Sequence, residues 1–178
     1  MDRFIRELLR LVDLTGAIDA HEVGCGEGEL ATRMAKHGLR VRGTDASAEV
    51  IAEARSRAKA AGIDAKFRVT PVEELDPARD AAELIVCCEV MEHLADPDAA
   101  LSVVASLASP WAIISVPREP LWRALNVAWI KYVKELGNTP GHLSHWSRPS
   151  FVRFLERDLE VVEVRAPLPW TMALCRAR

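Results

Sequence analysis

The chain opens on a helical pattern, with Phe4, Ile5, Leu8, Leu9 and Val12 recurring at spacings of three and four among charged positions. After it the period keeps switching. Stretches with strand character at 17–23, 39–44, 64–69, 83–88 and 111–116 alternate with helical stretches at 28–37, 47–61 and 97–108. Ser47 and Asp96 stand as N-caps, Pro97 takes a first helical position, and Gly62 follows the end of its helix. This alternation predicts an α/β fold built on a doubly wound, mostly parallel sheet with right-handed crossovers.

The last third changes character. Residues 119–136 carry one long helical pattern with an apolar stripe of Trp122, Leu125, Trp129, Tyr132, Val133 and Leu136. Residues 137–149 read as loop, about 149–157 as helix, and 159–165 and 170–176 as two strands joined by a short turn. Such a pair fits an antiparallel hairpin at a sheet edge. No repeat, low-complexity tract or linker interrupts the chain. It reads as one domain, with a leading helix (1–14), a core (15–117), an insert (118–149) and a closing helix and strands (150–178). The insert follows a strand end, a position that suits a lid or acceptor wall. A core-packing amphipathic helix is the better account of most of its apolar residues. Its basic, Trp-bearing face would also suit a membrane surface and a lipid-linked acceptor.

Composition narrows the classes. At 178 residues, 49% hydrophobic and 28% charged, the chain is long enough to bury a core without staples. Lys and Arg number 23 against 26 Asp and Glu, a formal net charge of −3, so no global field draws in nucleic acid. A local patch would still suffice for a short RNA end. Cys25, Cys87, Cys88 and Cys175 lack metal or disulfide spacing and suit a reducing cytoplasm. The charged N-terminus reads as neither signal peptide nor membrane span.

Candidate chemistry begins where the first strand meets its helix, at Glu22-Val23-Gly24-Cys25-Gly26-Glu27-Gly28. Alternate glycines permit a tight turn and close approach of a ligand to the backbone, and the helix N-terminus beyond offers free N–H groups. The dinucleotide fingerprint would need glycine at position 29, which is Glu29. An acidic residue ahead of the loop repels pyrophosphate but suits an ammonium group. The pattern therefore points away from NAD and towards S-adenosylmethionine. Asp45, at the end of the second strand, is placed to accept ribose hydroxyls.

The runs HEVGCGEGELA, GTDAS, IVCCEVMEHLADPDAAL and IISVP, in this order, resemble the successive motifs of class I S-adenosylmethionine-dependent methyltransferases over residues 18–117. The resemblance implies a seven-stranded sheet whose last strand is antiparallel. It implies that Gly24, Gly26 and Gly28 bound the cofactor's methionine and ribose, with Glu22 nearby, Asp45 on the ribose, Ala46 beside the adenine and Cys88 on the cofactor's flank. Pro71 occupies a slot that is often acidic in the family, which leaves adenine to the backbone around Val72 or to Glu73. Ala108-Ser109-Pro110 replaces a frequent glycine turn.

Glu89, Glu92 and His93 follow the fourth strand, and a helical turn starting there would place them on one face. His93 alone suits packing beside the cofactor or service as a general base. With His142 and His145 the set becomes a sensible divalent-cation site. The pattern E-x-x-E-H followed by H-x-x-x-W-S resembles small-RNA 3′-terminal 2′-O-methyltransferases and, more loosely, ubiquinone-pathway O-methyltransferases. Aligned through Trp146, the resemblance implies Glu89, Glu92, His93 and His142 as ligands, with His145 spare. Such donors take Mn²⁺ or Mg²⁺, with Zn²⁺, Fe²⁺ and Co²⁺ also admissible. A cation there implies a small acceptor with vicinal hydroxyls: a sugar, a catechol or a terminal ribose. Without one, His93 or His145 is the base. N- or C-methylation on the same scaffold needs no metal, and a non-catalytic S-adenosylmethionine-binding module needs no acceptor.

Overall fold

The computed structural model describes residues 1–119, 121–122 and 141–178. Helix α1 (Asp2–Thr15) leads into β1 (Asp19–Val23), α2 (Glu29–Lys36), β2 (Arg40–Asp45), α3 (Ala48–Ala60) and β3 (Lys66–Val69). Then follow α4 (Pro77–Asp80), β4 (Ala82–Cys88), α5 (Pro97–Leu107), β5 (Ala108–Pro117), α6 (Arg148–Leu155), β6 (Leu159–Arg165) and β7 (Trp170–Ala177). Short 3₁₀ turns at Val72–Glu74 and Met91–His93 interrupt the βα connections.

The strands form one sheet in the order β3-β2-β1-β4-β5-β7-β6. The first five are parallel; β7 runs antiparallel between β5 and β6. This is the expected doubly wound sheet with an antiparallel last strand. The order reverses at β1, so the carboxyl ends of β1 and β4 open a crevice on either side of that switch.

Alternation along the central strands divides the core. Leu84, Val86 and Cys88 face α1, α2 and α3. Ile85 and Cys87 face α5 and α6, where Leu101, Val104, Phe151 and Phe154 pack. The helix starts follow their caps: Ser47 accepts from the Val50 amide, Asp96 from Ala99, and Ser147 from Ser150. Helix α6 begins at Arg148 under the Ser147 cap, with Pro149 inside its first turn. Strand β5 starts at Ala108, three residues ahead of the expected 111. Of the expected helix over 119–136, only Glu119, Leu121 and Trp122 are among the described residues: Glu119 lies in a turn, and Leu121 and Trp122 are helical.

Candidate active site

The glycine loop has the conformation its sequence demands. Gly24, Gly26 and Gly28 all take positive φ, at 70°, 50° and 73°. The amides of Gly24 and Cys25 donate to the Thr44 carbonyl at 2.8 and 2.9 Å, which fastens the loop to the end of β2. Asp45 closes it from above: its Oδ2 accepts the Gly26 amide at 3.0 Å and its Oδ1 the Ser47 amide at 2.9 Å. A Cβ on Gly24 would lie 2.3 Å from Val90 Cγ2, whereas one on Gly26 would meet no protein atom within 4 Å. The side-chain position of Gly26 is therefore open space.

Glu22 is buried at the foot of this loop, and its Oε2 has no hydrogen-bond partner. Burial, with the charges of Asp45 and Glu29, pushes its carboxyl up to about 8 against the pull of the Ala31 amide. An orphaned buried acid beside a loop whose Gly26 leaves room for a ligand is suited to a cationic partner. Val72 is buried in the 3₁₀ turn after β3, while Glu73 and Ala46 are exposed on the same rim. Cys88 is buried at the end of β4, its thiol pushed far up by burial, so it acts there as an apolar wall.

Beyond β4 the candidate ligands separate. Glu89 has φ 60°, an unusual value for a residue with a side chain. The 3₁₀ turn begins two residues later, so Glu89 does not share the expected helical face with Glu92 and His93. Its Oε1 accepts the Ser115 hydroxyl at 2.9 Å. Burial and the charge of Glu92 push its carboxyl well above the ordinary range.

Glu92, His93 and His142 do come together, with one ligand atom from each within 4.8 Å of the others. Glu92 is buried, and both of its carboxylate oxygens lack a hydrogen-bond partner. Burial raises its carboxyl to about 7. His142 is lowered to about 4 by burial and by the charges of His93 and His145, so it is neutral at physiological pH. The His93 and His142 rings meet edge to face, with centroids 4.9 Å apart. His93 Nδ1 lies 3.1 Å from the Gly141 carbonyl and donates there, so Nε2 is the ring nitrogen outside that bond. His145 stands further out, exposed, its ring 6.5 Å from that of His142. Among the described residues, therefore, the structure gathers three of the four expected ligands and leaves Glu89 on Ser115 and His145 on the rim.

An aromatic wall flanks the cluster. Phe4 packs edge-on to Trp170 at 5.2 Å, Trp170 lies 5.9 Å from Trp122, and Trp122 stacks on His142 at 6.2 Å. Met1, Phe4, Leu30, Trp170 and the carboxylates Glu29 and Glu89 enclose a cavity of about 110 Å³. Sequence reasoning assigned no role to Ser115, Trp170 or Val90. The one available signal was Ser115, a lone hydroxyl in an apolar strand at the carboxyl edge of the sheet.

Residues 20–110 match the family described as methyltransferase domain. The chain is 32% identical over 119 residues to the ubiquinone biosynthesis O-methyltransferase of Xanthomonas euvesicatoria pv. vesicatoria (strain 85-10), a match that covers 65% of this chain and 50% of that protein. Against the ubiquinone biosynthesis O-methyltransferase of Bordetella avium (strain 197N) it is 30% identical over 146 residues, covering 78% and 61%. The chain thus spans between half and two thirds of the length of these relatives. Its backbone superimposes on magnesium protoporphyrin IX methyltransferase from Synechocystis PCC 6803 with bound SAH at a TM-score of 0.74, with 20% identity and coverage of 99% and 81%. For the N-methyltransferase NodS from Bradyrhizobium japonicum WM9 the TM-score is 0.72, with 22% identity and coverage of 97% and 93%. At these identities the structural likeness is one of fold. By its matched motifs and its sheet, this chain belongs to the methyltransferase-domain family and carries the class I S-adenosylmethionine-dependent methyltransferase fold.

Proposed function

We propose that the chain transfers a methyl group from S-adenosylmethionine to a hydroxyl of a small acceptor with vicinal hydroxyls, such as a catechol or a sugar, with a divalent cation held by Glu92, His93 and His142. The observation that carries the reading is the Glu92 carboxylate, buried with both oxygens unpartnered and within reach of two imidazoles. A buried, unpaired carboxylate is costly unless something cationic completes it. The names of the curated relatives, O-methyltransferases, support the choice of oxygen as acceptor.

The donor set fits both groups. Glu22 offers its free oxygen to the cofactor's ammonium, Asp45 its carboxylate to the ribose, and the open face of Gly26 the space for the ligand. The sulfonium supplies its own electrophile, so the protein's work is alignment and proton removal. A cation on Glu92, His93 and His142 would lower the pKa of a hydroxyl placed on it. His142 is already neutral, as a ligand must be, and His93 donates from Nδ1 to Gly141, which leaves Nε2 as its ligand atom. Glu89, fixed by Ser115, sits across the crevice as an acceptor for a second hydroxyl, and Trp170 and Phe4 would wall the acceptor's apolar side. In the absence of a cation, His93 Nε2 is the general base.

Calorimetric titration with S-adenosylhomocysteine, then with Mn²⁺, tests the two halves separately. Saturable binding of both supports the reading. Absence of the first removes the cofactor, and absence of the second removes the diol inference.

A further inference from the structure

We propose that Arg57 is a positioning residue for the cofactor loop, holding it from α3 in the shape the methyl donor requires. The proposal rests on the reading of the glycine loop as the seat of S-adenosylmethionine.

One guanidinium brackets Gly28. Arg57 Nε donates to the Glu27 main-chain oxygen at 3.0 Å, and Nη2 to the Glu27 carboxylate at 2.7 Å. Nη1 donates to Glu29 Oε2 at 2.9 Å, while Arg33 Nε takes the other oxygen of Glu29 at 2.9 Å. One turn earlier on the same face of α3, Ala54 abuts Gly28: a Cβ added there would lie 3.1 Å from Ala54 Cβ. Helix α3 thus grips residues 27–29 at two points, one by contact and one by a fork of hydrogen bonds.

The loop needs such a grip. Its three glycines hold left-handed backbone, and glycine loses more conformational freedom on ordering than any other residue. Gly28 caps α2 with no side chain of its own to bond the helix. A free loop would have to be ordered by the ligand at the expense of affinity; a loop ordered beforehand would not. The Arg57 side chain is 40% exposed, and an exposed ion pair by itself contributes little. Here the planar fork also bonds a main-chain carbonyl, so its effect is geometric, and a lysine cannot reproduce it. Arg57 and Arg33 also offset Glu29, whose charge acts on Glu22.

The test compares wild type, Arg57→Ala, Arg57→Lys, Glu27→Gln and the Arg57→Ala/Glu27→Gln double variant. The readouts are S-adenosylhomocysteine affinity by calorimetry and amide hydrogen exchange of the ligand-free chain. Arg57→Ala should weaken binding about tenfold, the scale of losing hydrogen bonds to a charged group. The Gly26 and Gly28 amides should exchange faster, while those of β1 and β4 keep their protection. Arg57→Lys should stay closer to Arg57→Ala than to wild type. The double variant should bind no worse than Arg57→Ala, because the two side chains act as one unit. Affinity of Arg57→Ala within about twofold of wild type, additive effects, or equally faster exchange throughout the sheet would overturn the proposal. The Glu27→Gln comparison still decides if Arg57→Ala does not fold. A wild type that binds no S-adenosylhomocysteine overturns the cofactor reading and this proposal with it; normal wild-type binding with an indifferent Arg57 overturns this proposal alone.

Discussion

The main-chain carbonyl of Glu92 accepts the Leu143 amide at 2.7 Å, with the Ser144 amide adding a second bond at 3.2 Å. This pair of bonds delivers His142 to the buried carboxylate of Glu92, and the His93–Gly141 bond fastens the same junction from the other side. The segment is anchored again where the Glu119 amide donates to the Trp146 carbonyl at 2.9 Å. The candidate cation site is therefore assembled by main-chain and side-chain bonds that join segments at least 48 residues apart in sequence.

His142→Ala should weaken Mn²⁺ binding by at least the roughly 10–100-fold that loss of even an outer-shell partner costs. S-adenosylhomocysteine affinity should be unchanged, because His142 bonds none of the glycine-loop residues. Titration of both ligands into wild type and variant checks this; equal Mn²⁺ affinity would remove His142 from the site. His145→Ala should do less, since its ring lies on the exposed rim.

Gly24 and Gly26 should respond differently to substitution. Gly24→Ala drives a methyl into Val90 as well as straining a positive φ, so it should destabilise the fold by about 1–3 kcal/mol. Shortening Val90 to alanine in the same chain should recover part of that loss. Gly26→Val carries the strain without a Cβ clash, and its side chain would take up the open space proposed for the ligand. It should fold and fail to bind S-adenosylhomocysteine. Urea denaturation paired with ligand titration separates the two; normal affinity in Gly26→Val would reduce the loop to a simple turn.

Much of this arrangement is legible in the sequence, and what is not has local causes. The βα alternation shows because buried strands and half-buried helices carry different periods, and the caps Ser47 and Asp96 mark helix starts through their own chemistry. The first strand of the site gives itself away by glycines that only a left-handed turn requires. Glu89 is different. Spacing alone places it with Glu92 and His93, and only its positive φ and the late start of the 3₁₀ turn send it to Ser115 instead. Helix α4 and the 3₁₀ turns are too short to show a period. The early start of β5 is hidden because Ser109 and Pro110 carry turn chemistry while lying in strand. Trp170 and Phe4 meet across the whole length of the chain, a proximity that no local pattern records.

Glu22 gives the ligand-free chain a pH signature. Its folded pKa of about 8 lies above the ordinary carboxyl value, so between roughly pH 4.5 and 8 the folded state holds a proton that the unfolded state has released. Its contribution to stability is full below the unfolded value and is lost as pH rises through the folded one. Glu22→Gln has no proton to lose. The variant should therefore gain on wild type in urea denaturation midpoint as pH is raised from 5 to 8. A midpoint difference that stays constant over that range would contradict the buried, protonated state of Glu22.

The most direct test of the account is methyl transfer itself. The purified chain is incubated with methyl-deuterated S-adenosylmethionine and Mn²⁺, with catechol, phenol and cis-1,2-cyclohexanediol as separate acceptors, and the products are read by mass spectrometry with and without EDTA. The account predicts a deuterated methyl ether on at least one vicinal diol, little on phenol, and loss of product with EDTA or in Glu92→Gln. Transfer to phenol as efficient as to the diols and indifferent to EDTA, or a chain that binds the cofactor and methylates no hydroxyl at all, would contradict it.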